Sequence, residues 1–158
     1  MPLYFAYGSN MDEAAMNKRC PSTTYIGRAK LVRHRLMIMG EGYLSVVRDN
    51  ASNVHGVLYD LALSDVPALD RYEDVGSGLY TKVNQPVIRE GAMSVRALVY
   101  VGRASTEGRA KPGYMENVIA AARARGLDAA YIGGLESLAQ GGTASRVTRF
   151  RAPGLNRI

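Results

Sequence analysis

Leu3-Tyr4-Phe5-Ala6-Tyr7-Gly8-Ser9-Asn10-Met11 stands near the start of the chain and contains the transition on which the fold turns. Leu3 to Ala6 is aromatic and apolar throughout, the composition of a short buried strand, and it runs straight into Tyr7-Gly8-Ser9-Asn10. Gly8 tolerates backbone angles closed to other residues and lets a ligand approach the main chain. Ser9 and Asn10 add small hydrogen-bonding side chains of the kind that cap helices. Residues 11–19 follow with helical composition and with Asp12 and Glu13 in the first turn. A strand, a small-residue loop and a helix start in succession present free backbone N–H groups, a seat for a carboxylate or an oxyanion. The same residues also fit a plain turn closed by a helix cap.

Working outward, 158 residues of which 47% are hydrophobic and 22% charged describe one globular domain able to bury its own core. We read residues 1–142 as that domain and 143–158 as a basic C-terminal tail. No stretch is apolar for long enough to span a bilayer, and no basic region followed by an apolar run marks a secretory signal. The expectation is a soluble cytoplasmic protein without membrane contact. Cys20 is the single cysteine, which rules out an internal disulfide, and with only His34 and His55 beside it a zinc site is not expected. Of the net charge of +6, four positive charges come from Arg146, Arg149, Arg151 and Arg157 in a tail without acids. Such a tail reads as a solvated terminus or a packing arm before it reads as a nucleic-acid contact.

Beyond the first helix, residues 25–32 and 35–39 read as extended segments, and Tyr43 to Val47 as a further short strand. Asp49-Asn50-Ala51-Ser52-Asn53 is a turn cluster, after which residues 54–61 alternate as a strand with a close backbone approach at Gly56. Both histidines lie in strand-like surroundings and read as structural. Residues 79–83 and 85–88 continue as extended chain, and residues 94–101 return as the second arm of a hairpin disturbed at Pro86. The polar segment 102–113 reads as a loop. Met115, Val118, Ile119 and Ala122 then share one helical face, Gly126 stops that helix, and Asp128 starts another containing Tyr131, Leu135 and Leu138.

Between these β-rich regions lies a short helix, with Ser64 as its expected N-cap and Pro67 tolerated in the first turn. Val66, Leu69 and Tyr72 are spaced to share its inner face, and Asp70 and Glu73 to share another. Asp74-Val75-Gly76-Ser77-Gly78 ends the helix and leaves Glu73 in its last turn. The negative end of the helix dipole disfavours an ionised carboxylate there, and burial would raise its pKa further, towards that of a proton shuttle working near neutral pH.

Tyr7-Gly8-Ser9-Asn10, followed by Leu69-Asp70-Arg71-Tyr72-Glu73 and Gly78-Leu79-Tyr80, resembles the gamma-glutamylcyclotransferase-like superfamily in kind and order. The resemblance runs from about Leu3 to Leu138 and takes in Gly56-Val57-Leu58-Tyr59 and the helix in residues 112–127. It implies an α+β fold, a small mixed β-barrel flanked by helices. It also implies that the loop Tyr7 to Asn10 holds the glutamyl part of a substrate, that Glu73 is the acid/base residue, and that Tyr114 stands near the pocket. Many members carry glycine after the glutamate where this chain has Asp74, a departure that bears on the loop and on substrate preference.

The implied reaction needs neither metal nor organic cofactor. A gamma-glutamyl compound carries its own nucleophile, because its α-amine can attack the γ-carbonyl and close a five-membered lactam, 5-oxoproline. The enzyme has to fold the chain back, move protons and stabilise an oxyanion. A serine hydrolase built on Ser9 with His34 or His55 fits less well, since no nucleophile-elbow pattern surrounds Ser9. The alternative of a different class is a catalytically idle barrel of the same fold that binds a small metabolite, or nucleic acid through the tail.

Overall fold

The computed structural model describes residues 2–103 and 106–141. The expected basic tail, 143–158, lies outside the described residues. Five strands close into a barrel: β1 (Leu3–Ala6), β2 (Thr24–Ile38), β3 (Leu44–Asp60), β4 (Tyr80–Arg89) and β5 (Ser94–Gly102), in the spatial order β1-β3-β2-β4-β5. Among the described residues four α-helices accompany them: α1 (Glu13–Arg19), α2 (Val66–Tyr72), α3 (Tyr114–Ala124) and α4 (Ala129–Ala139). The architecture is the expected mixed barrel with flanking helices.

β1 explains both the closure and the mixture. It pairs antiparallel with β3, from Leu3 opposite Asp60 to Ala6 opposite Val57, and parallel with β5 at Tyr4 opposite Leu98. A strand paired on both edges and covered on both faces has no need of polar alternation, and Tyr4, Phe5 and Ala6 are all buried. Gly56 of β3 permits its fit. A Cβ there would lie 2.3 Å from the Ala6 carbonyl oxygen and 2.8 Å from the Phe5 ring, the close approach expected from the sequence.

Two expected breaks are absorbed into longer strands. Residues 25–32 and 35–39 do not form separate elements; most of both segments belongs to β2, which passes Arg33 at a φ of 59° through a bulge. The expected turn at residues 49–53 likewise lies within β3. The register with β2 jumps there, from Asn53 opposite Val32 to Arg48 opposite His34. Asp49 accepts hydrogen bonds from the Ala51 N–H at 3.0 Å and the Ser52 hydroxyl at 2.9 Å, so the turn chemistry bows the strand outward without reversing it. The β4–β5 hairpin forms, but the disturbance expected at Pro86 does not: the register runs unbroken from Tyr80 opposite Gly102 to Ile88 opposite Ser94, with Pro86 opposite Arg96.

The helices follow their apolar spacing with two corrections. Met115, Val118, Ile119 and Ala122 of α3 are buried, and Gly126 ends the turn after it at a φ of 71°. Ser64 does not cap α2. It lies in a 3-10 turn, Leu63–Asp65, while the Asp65 carboxylate accepts from the Ser22 N–H and the Thr23 hydroxyl, both at 2.9 Å, and so ties α2 to the end of α1. Tyr72, expected on the inner face with Leu69, is 42% exposed. Among the described residues no helix is long and apolar enough to cross a membrane.

Candidate active site

The end of β1, the start of α1, the end of α2 and the start of α3 meet at one mouth of the barrel. There the surface opens into a cleft of about 800 Å³, lined among others by Ser9, Tyr72, Glu73, Tyr80, Lys111 and Tyr114. Below it lies an inner recess of about 20 Å³ whose walls include Tyr7, Gly8, Ser9, Asn10 and Glu73. Ser9, Glu73 and Tyr80 belong to both, so the loop and the glutamate face one concave site.

The loop takes the form of a 3-10 turn, Ser9–Met11. Met11 donates to the Gly8 carbonyl at 3.1 Å and Asp12 to that of Ser9 at 3.2 Å. The helix cap falls later than expected: Asp12, not Ser9 or Asn10, caps α1, accepting the Ala15 N–H at 2.8 Å. The side chains of Ser9 and Asn10 are thereby left for the site. The backbone N–H groups of Gly8, Ser9 and Asn10 have no acceptor among the described residues. Three amides left open beside a recess fit an anionic oxygen atom.

Glu73 is the C-cap of α2. Its chain reversal is a Schellman motif, with the Val75 N–H on the Asp70 carbonyl at 3.1 Å and the Asp74 N–H on that of Arg71 at 3.2 Å. The motif requires a left-handed residue after the cap, and Asp74 fills that place at a φ of 53°. The Glu73 carboxylate turns inward and accepts a hydrogen bond from Asn10 Nδ2 at 3.2 Å. Burial pushes its pKa up to about 7, opposed by the nearby Arg19 cation. The sequence pointed to the same direction; its main cause here is desolvation.

Asn10 is the hub. Its Nδ2 also donates to the Tyr4 hydroxyl at 3.1 Å, its Oδ1 accepts from Arg19, and its carbonyl accepts from the Tyr59 hydroxyl at 2.6 Å. Ser9 Oγ pairs with the Tyr72 hydroxyl at 2.8 Å. Tyr7 is among the residues lining the recess, while its hydroxyl donates to the Tyr100 carbonyl and so serves the barrel. The Tyr114 hydroxyl accepts the Leu44 N–H at 3.2 Å and covers Gly8, where a Cβ would come within 3.1 Å of it. All six residues expected from the sequence therefore converge.

The two histidines stay outside, as structural residues: His34 Nδ1 bonds the Val32 carbonyl at 2.8 Å, and His55 stacks on Tyr131 with ring centroids 4.3 Å apart. Sequence reasoning missed Arg19, Tyr72, Tyr80 and Lys111. Each comes from a different element, so no local spacing could have joined them. Tyr72 and Tyr80 carried a signal, since both lie in the motifs on which the family resemblance rests.

Residues 53–135 match the model of the AIG2-like family. The human protein gamma-glutamylcyclotransferase is 24% identical over 139 residues, covering 82% of this chain and 74% of that protein. The mouse protein of the same name is 26% identical over the same length and shares. A solved structure titled gamma-glutamyl cyclotransferase superposes with a TM-score of 0.81 at 23% identity, covering 86% of each chain. YkqA from Bacillus subtilis superposes with a TM-score of 0.76 at 23% identity, over 90% of this chain and 55% of that one. These likenesses to structures concern the fold; the family model covers more than half of the chain. The chain belongs to the AIG2-like family, within the gamma-glutamylcyclotransferase-like superfamily.

Proposed function

We propose that this protein is a gamma-glutamyl cyclotransferase-type enzyme, converting the gamma-glutamyl group of a small substrate to 5-oxoproline and releasing an amine or amino acid. The observation that carries the reading is the shared recess, whose walls bring a carboxyl with a pKa of about 7 together with the loop that carries three open backbone amides. An ionised Glu73 takes a proton from the substrate's α-ammonium. The freed amine attacks the γ-carbonyl carbon, a new C–N bond closes the five-membered ring, and the carbonyl oxygen becomes an oxyanion. As the tetrahedral centre collapses, the bond to the leaving nitrogen breaks; Glu73 returns the first proton to that nitrogen and relays the second from the ring nitrogen, so the lactam is neutral and the amine leaves as an ammonium. A pKa near the working pH suits one group to both transfers.

The Gly8, Ser9 and Asn10 amides bind the substrate α-carboxylate or the oxyanion, and Tyr7 and Tyr114 wall the glutamyl chain into the folded-back conformer that the ring closure requires. The wider outer cleft receives the leaving group. Incubation with a panel of gamma-glutamyl amino acids, amines and larger conjugates, with 5-oxoproline detected by mass spectrometry, tests the proposal. Release of 5-oxoproline from at least one class is the expected result. Binding of such compounds without any 5-oxoproline would replace the enzyme by an idle binding barrel.

A further inference from the structure

Arg19 closes α1, and its guanidinium reaches back to the site through two contacts. One nitrogen donates to Asn10 Oδ1 at 2.5 Å, and Cζ lies 3.5 Å from the centroid of the Tyr72 ring. These two partners flank Glu73: Asn10 donates to its carboxylate at 3.2 Å, and Tyr72 precedes it in the chain and holds Ser9 at 2.8 Å. We propose that Arg19 is a positioning residue for the cyclisation, clamping Asn10 and Tyr72 on either side of Glu73 so that carboxylate and loop amides keep one geometry. The inference rests on the reaction proposed above.

The chemistry of the contacts explains why an arginine serves. A guanidinium can only donate, so it fixes the acceptor end of the Asn10 amide towards itself and turns the donor end towards Glu73 and Tyr4. With the clamp removed the amide is free to flip, which would set Oδ1 against the carboxylate as two opposed acceptors. The flat guanidinium also covers the Tyr72 ring, a contact that a lysine ammonium reproduces poorly. The loop backbone does not depend on this clamp. The Asn10 carbonyl is held by Tyr59, and the Met11 carbonyl by Arg125 Nε at 2.9 Å.

Arg19 also supplies the cationic field at Glu73. The other groups that face this carboxyl are the hydroxyls of Tyr4 from β1, Tyr7 from the loop, Tyr80 from β4, Tyr100 from β5 and Tyr114 from α3, each kept neutral by burial. Asp70, one turn earlier on α2, is engaged by the Tyr100 hydroxyl at 2.6 Å and Lys82 at 2.8 Å. Glu41, Arg71, Asp74 and Lys111 line the outer cleft.

The test compares Arg19→Gln and Arg19→Lys with wild type by the pH profile of kcat/KM on a gamma-glutamyl compound that wild type turns over. Alongside it, the Glu73 carboxyl is titrated by 13C NMR, with Glu73→Gln to assign the signal. In Arg19→Gln we expect kcat to fall about ten- to hundredfold, more than KM changes, and the acid limb to move up by about one pH unit. Arg19→Lys keeps the limb near wild type yet stays slow, because it restores the charge without the clamp. Wild-type kcat in either variant overturns the proposal. If Arg19→Gln fails to fold, the Lys variant alone decides it by the same two readouts. If wild type turns over no gamma-glutamyl compound, the proposed reaction fails by itself, and an unmoved Glu73 titration in Arg19→Gln would then overturn the coupling separately.

Discussion

Replacing Glu73 by Gln separates two costs that this carboxyl imposes. Below about pH 4.5 the group is protonated in the folded and the unfolded chain alike, so it does not alter stability. Between there and about pH 7 the unfolded chain ionises while the folded one keeps its proton, and stability falls as pH rises. At about 1.4 kcal/mol per pH unit this amounts to at most about 3 kcal/mol, levelling off above pH 7. Gln has nearly the same shape, and its Oε1 still accepts from Asn10, but it carries no ionisation to penalise. Urea unfolding from pH 4.5 to 8 should therefore show a loss in wild type that is largely absent from Glu73→Gln. At pH 8 the variant should melt up to about 6–12 °C higher, given about 2–4 °C per kcal/mol for a chain of this size. Its turnover should be lower by about a hundredfold to ten-thousandfold, since Gln cannot shuttle a proton. In wild type, kcat/KM should rise with pH through about 7, as the base form of Glu73 appears. Parallel stability curves for the two proteins, or near wild-type turnover by the variant, would refute the reasoning.

Three other perturbations follow from the geometry. Gly56→Ala drives a Cβ into the Ala6 carbonyl at the base of the loop; denaturant unfolding should show a loss of about 3 kcal/mol, and wild-type stability would mean that β1 gives way freely. Asp74→Gly relieves a left-handed residue in the Schellman turn, so calorimetry should find a gain of about 0.5–1 kcal/mol, and a lower melting temperature would contradict the strain argument. Deletion of residues 146–158 should leave 5-oxoproline release at its full rate, because the proposed site is built from residues 7–114; an activity loss measured on the truncated chain would bring the tail into the site.

The readable features of this sequence were local ones. Leu3 to Ala6, the β4–β5 hairpin and the apolar face of α3 each declare themselves within a few residues, because strand and helix periods are short-range properties. The turn signal at residues 49–53 was chemically genuine, since Asp49 does bond Ala51 and Ser52, but pairing with β2 on either side overrode it. Tyr72 broke the helical pattern for a reason no spacing contains: its ring is held by Arg19 from another helix and its hydroxyl by Ser9. Glu73 was legible as a perturbed carboxyl from its place at a helix end. The larger cause, enclosure by tyrosines from other elements, exists only once the barrel has closed.

That closure also orders events during synthesis. β1 leaves the ribosome before the strands it pairs with, since its antiparallel partner residues are 57–60 and its parallel partner is Leu98. At about 5–20 residues per second, the aromatic segment waits roughly 5–20 s before both neighbours exist. Through that interval Tyr4, Phe5 and Tyr7, all buried in the finished fold, lack the strands that cover them, and the Asn10 side chain has no Glu73 carboxylate to bond until α2 emerges. A nascent chain halted before β5 thus carries every residue of the loop but lacks the Tyr100 carbonyl that receives the Tyr7 hydroxyl and the Arg125 side chain that holds the Met11 carbonyl.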